Sequence, residues 1–291
     1  MGKASEGRRA FLGLLMTSVS SLQPSRLLKT LSSMALEGGR RRFGVLVDLT
    51  ACIGCRSCYV ACKLKQGFPS EKKGNLRAPC EPHLSEITYT EILPRKVGDT
   101  VRFVKVQCMH CIDPACASAC TVGAIYKLED GPVVVNQDKC VGCRYCQIAC
   151  PFSIPKFQWS KNRSVMAKCD LCFDRVLMGL KPACVEVCPV NALVFGYRDE
   201  LLKEARRRIS TGKYVNHIYG EYEAGGTTWI YISDVPFSQL GFPTVRKWAL
   251  PKITSRWFEG AAPIIATIVL ALLAGLRIYT GKRKSEGGGK D

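Results

Sequence analysis

Cys140-Val141-Gly142-Cys143-Arg144-Tyr145-Cys146-Gln147-Ile148-Ala149-Cys150-Pro151 reads C-x2-C-x2-C-x3-C-P. A run this dense gathers three sulfurs around one small loop and leaves the fourth pointing elsewhere. The same rhythm recurs through the chain. Cys52/Cys55/Cys58/Cys62 repeats it without the proline, Cys108/Cys111/Cys116/Cys120 stretches it to C-x2-C-x4-C-x3-C, and Cys169/Cys172/Cys184/Cys188 to C-x2-C-x11-C-x3-C. Sixteen of the seventeen cysteines fall into these four quartets, each opening with C-x2-C and closing with C-x3-C.

Disulfides, zinc and iron–sulfur clusters compete for such cysteines. Disulfide scaffolds are short chains with too little core, whereas this one has 291 residues, 47% of them hydrophobic. Structural zinc takes two separated pairs. The C-x2-C-x2-C run is instead the ligand pattern of a cuboidal cluster, and sixteen thiolates suffice for four [4Fe-4S] clusters.

The strands around the quartets group them. Ala124–Leu128, a turn at Glu129-Asp130-Gly131 and Pro132–Asn136 form a β-hairpin between the second and third quartets. Two strands are left over: Phe43–Val47 before the first quartet and Ala192–Gly196 after the fourth. Their equivalent positions predict a second, discontinuous unit that pairs the first quartet with the fourth. In two-cluster units the last cysteine of each run ligates the other cluster. The ligand sets are then Cys52/Cys55/Cys58/Cys188, Cys169/Cys172/Cys184/Cys62, Cys108/Cys111/Cys116/Cys150 and Cys140/Cys143/Cys146/Cys120.

Several segments carry a family resemblance. They are Asp48–Cys55, Cys108–Cys116, Cys140–Cys146, Cys150–Lys156, Lys168–Cys172, Pro182–Pro189 and Ile218–Thr227. Over about residues 43–245 the chain resembles the four-cluster subunits of molybdopterin oxidoreductases and membrane-bound hydrogenases. It looks like the periplasmic ferredoxin-type component of an uptake hydrogenase, with the formate dehydrogenase β subunit close behind. The resemblance implies an α+β fold of two ferredoxin-like domains, each with two [4Fe-4S] clusters. Thr121 departs from the proline often found there but leaves the ligands intact.

The expected domains are a twin-arginine signal at 1–35 and an outer two-cluster domain at 43–100 and 165–198, nested around an inner one at 101–164. An extension and linker follow at 199–259, then a transmembrane helix at 260–279 and a cytoplasmic tail at 280–291. Gly7-Arg8-Arg9-Ala10-Phe11-Leu12 before a weakly apolar stretch resembles a twin-arginine signal, and Ser33-Met34-Ala35 offers a cleavage site. That route exports folded proteins, so clusters inserted beforehand survive. Gly260–Leu276 is free of charge and, extended through Tyr279, reaches the ~20 residues that span hydrocarbon. Arg277 can snorkel, and Trp257, Phe258 and Tyr279 suit an aromatic belt. The export signal puts the cluster region on the periplasmic face of the inner membrane.

A formal charge of +18 would suggest nucleic acid or an anionic surface. Four clusters of about −2 each bring it to roughly +10, and no nucleic-acid fold is evident. Arg206-Arg207-Arg208 lies on a predicted amphipathic helix, Asp199–Ser210, with Leu201, Leu202, Ala205 and Ile209 inward. His110, inside the second quartet, is expected to serve the backbone rather than a metal. His83 and His217 are the other two histidines, the unpaired Cys80 reads as a structural or interface thiol in a loop rich in Gly, Pro and Lys, and no phosphate loop is present. The chain thus reads as a non-catalytic electron-transfer subunit. Its expected partners are a catalytic subunit and an integral-membrane quinone- or haem-binding subunit. The alternative is a tethered assembly protein whose clusters serve only stability.

Overall fold

The computed structural model describes residues 42–69, 84–157, 159 and 164–287. The expected signal at 1–35, Cys80 and His83 lie outside the described residues.

The chain mixes short helices with short strands around its cysteine loops. β1 (Phe43–Asp48) leads into the first quartet and α1 (Ser57–Gln66). A hairpin of β2 (Thr90–Val97) and β3 (Thr100–Gln107) runs into the second quartet, which holds α2 (Ala115–Ser118). β4 (Ile125–Lys127) and β5 (Val133–Val135) carry the chain to the third quartet and α3 (Tyr145–Ala149). β6 (Lys156–Phe157) and β7 (Met166–Ala167) precede the fourth, with its one-turn helices α4 (Phe173–Leu177) and α5 (Ala183–Glu186). β8 (Leu193–Tyr197), α6 (Arg198–Ile209) and β9 (Trp229–Ile232) follow, then α7 (Leu250–Arg256) and α8 (Ala262–Gly287).

β1 is the pivot. It pairs antiparallel with β8, Val45 opposite Phe195, so the two strands flanking the first and fourth quartets meet as the sequence predicts. The hairpin between the second and third quartets also forms, with Ile125 opposite Val135. On its other edge β1 takes a partner that the sequence reading left inside an extension: β9 lies parallel to it, Val45 opposite Trp229. All four β9 side chains are at most 1% exposed, each worth roughly 1.5–3 kcal/mol of burial. β9 is therefore part of the core rather than of a linker.

Among the described residues the core has three parts. Trp229 and Tyr231 join Val45, Val47, Leu171 and Leu193 beneath the first and fourth quartets. On the opposite face of the sheet, α6 lays Leu201, Leu202 and Ala205 on Leu46, Ile230 and Ile232, with Ile209 packed at the edge. This matches the predicted helix and its inward face. A separate cluster of Ile125, Val133, Phe157 and Met166 includes Cys140 and Cys146.

The helix that carries the predicted apolar segment begins before residue 260 and runs on to Gly287. α7 and α8 join through a π-helical turn at Trp257–Ala261, just before Pro263. A proline lacks an N–H and its ring collides with the carbonyl four residues back, so a widened turn accommodates it. The helical stretch Leu250–Arg277 has a mean hydropathy of 2.0 over its most apolar 18 residues, none of which is buried. Its 28 residues rise about 42 Å, more than the ~30 Å of bilayer hydrocarbon.

Candidate metal centres

Four loops of different sequence share one backbone shape. The second residue after each leading cysteine is left-handed: Gly54 (φ 70°), His110 (φ 47°), Gly142 (φ 71°) and Leu171 (φ 60°). This turn folds each C-x2-C back on itself, so both sulfurs face the same side. At two of the four, glycine is also required by space. A Cβ on Gly54 would lie 2.5 Å from the Phe103 ring, and one on Gly142 would lie 2.3 Å from the Ser164 carbonyl oxygen. Gly142→Ala is therefore expected to destabilise the protein by about 2–3 kcal/mol and to release iron from the third quartet. Gly179→Ala meets nothing within 4 Å at φ 75°, so it should cost only the left-handed penalty of about 1 kcal/mol. Thermal melting with iron assay separates the two.

The sixteen quartet cysteines are all free thiols, and they gather across quartets. A cavity beside β1 is lined by Cys52, Cys55, Cys58 and Cys188, with Lys105 in its wall. Burial first, then the charges of Cys58, Cys188 and Cys55, push the Cys52 thiol up. Cys62 reaches about 12 through burial and through Cys184 and Cys172, against a lowering by Lys105. Cys111 is raised well above its ordinary value by burial and by Cys108, Cys150 and Cys116. Cys146 rises to about 11 through burial and Cys140, Cys143 and Cys120. Each gathering thus takes its outlier from another quartet: Cys188, Cys62, Cys150 and Cys120.

The four gatherings also touch in sequence. Cys169 feels Cys108 as well as Cys62 and Cys184, and Cys116 feels Cys146 as well as Cys108 and Cys150. The order is the Cys52 set, the Cys169 set, the Cys108 set and the Cys140 set. Cys55 in the first and Cys143 in the last are the two exposed thiols of the sixteen. Exposed apolar residues stand beside each, Ile53 at one end and Val141 and Ile148 at the other.

This donor set fits iron–sulfur clusters. Buried thiols that repel one another resist ionisation until metal replaces their protons. Among the described residues no three Cys, His, Asp or Glu side chains converge as a one-ion site would require. Backbone N–H groups already aim at sulfur: Ala124 at Cys120 (3.2 Å) and Leu171 at Cys169 (3.4 Å).

His110 behaves as the sequence suggests. Its Nδ1 accepts the Val133 N–H at 2.9 Å, which leaves the proton on Nε2. Burial and the charges of Lys168 and Lys127 hold it well below the ordinary histidine range, hence neutral. His217 lies 2.9 Å from Glu223.

Sequence reasoning missed two supports. The Gly220–Thr228 loop braces the second quartet: Ile112 N–H donates to Gly226 O at 2.9 Å, and Thr228 N–H to Met109 O at 3.1 Å. Arg198 fastens that loop through Thr227 O, Gly220 O and Glu221 O. The other is a set of buried lysines, Lys105 and Lys168. For Lys105 the available signal was its place between Val104 and Val106 in the strand that enters the second quartet.

Residues 100–198, which contain three of the four quartets, match a 4Fe-4S dicluster domain. A protein of Nitratidesulfovibrio vulgaris is 38% identical, covering 96% of this chain and 78% of the relative. Hydrogenase-2 operon protein HybA of Escherichia coli O157:H7 is 32% identical over 69% of this chain and 72% of its own length. The nitrate-inducible formate dehydrogenase iron-sulfur subunit of Escherichia coli K12 is 33% identical, covering 79% and 82%.

Proposed function

The chain belongs to the iron–sulfur subunit family of anaerobic oxidoreductases, and from that premise we propose that it is a four-cluster relay held at a membrane. It would link a catalytic subunit of hydrogenase or formate dehydrogenase type to a quinone- or haem-binding membrane partner. The observation that carries the reading is the row of four thiol sets, each completed by a cysteine from another quartet. The Cys52 and Cys169 sets would belong to an outer ferredoxin-like domain, the Cys108 and Cys140 sets to an inner one. When bound, each [4Fe-4S] cluster supplies a one-electron donor and acceptor.

The protein's own residues account for the rest. Interior thiols such as Cys108, Cys172 and Cys184 are buried and shielded from water. The exposed Cys55 and Cys143, each with apolar neighbours, suit docking of a partner at either end. The base of the apolar helix supports an assignment of the ends. Lys252 on α7 pairs with Asp113 at 3.1 Å, and Leu250 and Trp248 share a cavity with Cys111 and Pro151. On this reading the Cys108 and Cys140 sets would stand on the membrane side, and the Cys55 end would face the catalytic partner. The cluster region would lie in the periplasm, delivered by the twin-arginine route.

The test is anaerobic purification of the membrane complex with metal analysis and spectroscopy. About 16 iron and 16 sulfide per chain are expected, with centres that reduce at potentials reached by physiological donors. Zinc in place of iron, or iron that cannot be reduced, would overturn the reading.

A further inference from the structure

Lys105 stands where two thiol sets come together. It projects from β3, is 2% exposed, and lines the cavity walled by Cys52, Cys55, Cys58 and Cys188. The thiols whose charge it feels are Cys184, Cys58, Cys169 and Cys62, in that order. Cys58 belongs to the Cys52 set and the other three to the Cys169 set. Its ammonium donates to the Thr90 hydroxyl and lies 5.1 Å from the centre of the Trp229 ring. Neither partner carries a charge. A cation held out of water needs negative charge nearby, and here thiolates from two sets supply it. The contrast with Arg56 is direct. That side chain lines the same cavity, but Glu91 cancels its charge at 2.8 Å.

We propose that Lys105 is a shared electrostatic regulator of the two clusters held by the Cys52 and Cys169 sets, raising the reduction potential of both. The proposal rests on the cluster-relay reading above. Reduction adds an electron to a centre already negative, and a fixed cation in a low-dielectric interior favours the reduced form. Because one ammonium faces both sets, the two centres are raised together, and reducing one weakens the share available to the other. No thiol of the Cys108 or Cys140 set is among the four whose charge it feels most, so those two centres shift far less.

The test is an EPR-monitored redox titration of the intact complex carrying Lys105→Met, with Lys105→Arg beside it. In Lys105→Met, the ratio of reduced to oxidised form at fixed potential should fall at least tenfold for two of the four centres. That corresponds to 59 mV for a one-electron couple. The other two should stay within threefold, and Lys105→Arg should resemble the unaltered protein throughout. Four unmoved centres, or four moved alike, would overturn the proposal. If Lys105→Met fails to keep its clusters, pulsed EPR on unaltered protein labelled with nitrogen-15 lysine answers the same question. A weak lysine coupling that disappears in labelled Lys105→Arg supports it, and no such coupling overturns it. Failure of the relay reading looks different, because unaltered protein would then lack reducible iron.

Discussion

Replacing Cys52 and Cys188 together with alanine should leave three intact [4Fe-4S] centres, while replacing Cys52 and Cys62 should leave two. The residues of the first pair are far apart in sequence, and those of the second share one quartet and flank the start of α1. If clusters followed sequence, the counts would be reversed. The reason lies in the packing. Cys188 lines the same cavity as Cys52, Cys55 and Cys58, whereas Cys62 sits among Cys184 and Cys172. Each alanine removes one thiolate that no neighbour can replace, so each set that is touched loses its intact cluster. Counting reduced centres by EPR, with iron determination, distinguishes crossed from sequential ligation. Electron transfer through the complex should fall to background in both doubles, since a row fails at any missing member.

Glu91→Ala should lower stability by about 3–5 kcal/mol, the cost of leaving a buried charge without its partner. Arg56 and Glu91 meet at 2.8 Å with side chains only 6% and 3% exposed. Arg56 also carries left-handed backbone (φ 60°) inside the first quartet and packs its guanidinium 4.6 Å from the centre of the Tyr59 ring. The ion pair therefore ties the first cysteine loop to β2. Without Glu91 the guanidinium must seek water, and the loop moves with it. Melting should fall by on the order of 10 °C, with iron lost first from the Cys52 set. Replacing both partners with apolar residues, Arg56→Met with Glu91→Leu, should recover most of the stability. Equal melting of single and double variants would contradict this account.

Much of the architecture was legible because the cysteine loops punctuate the chain. The hairpin at Ile125–Val135 announces itself by alternation and by Glu129-Asp130-Gly131, and α6 by its periodic leucines. The antiparallel meeting of β1 and β8 followed from symmetry with that hairpin. β9 was not legible. Trp229–Ile232 is apolar on both faces, which hides the strand period, and its parallel partner lies far away in sequence. The β2–β3 hairpin offered a Gly98-Asp99 turn, but Pro94 and the charges at Arg95 and Lys96 obscured its alternation. Among the cysteine loops, Gly54 and Gly142 advertise the left-handed turn. His110 and Leu171 adopt it without any such advertisement, because their surroundings impose it. The burial of Lys105 is visible only in the fold, where it is 2% exposed.

The position of β1 between two late strands has a consequence for biosynthesis. β1 leaves the ribosome early, yet its neighbours are made roughly 150 and 180 residues later, about 10–30 s at ordinary elongation rates. During that interval both of its hydrogen-bonding edges are bare, an invitation to mispairing. The hairpin joining the second and third quartets is complete well before. Assembly should therefore proceed from the inside outward, with the first-made thiols among the last to be enclosed. A ribosome stalled before residue 229 would hold a nascent chain whose inner hairpin is protected and whose β1 is still open to protease.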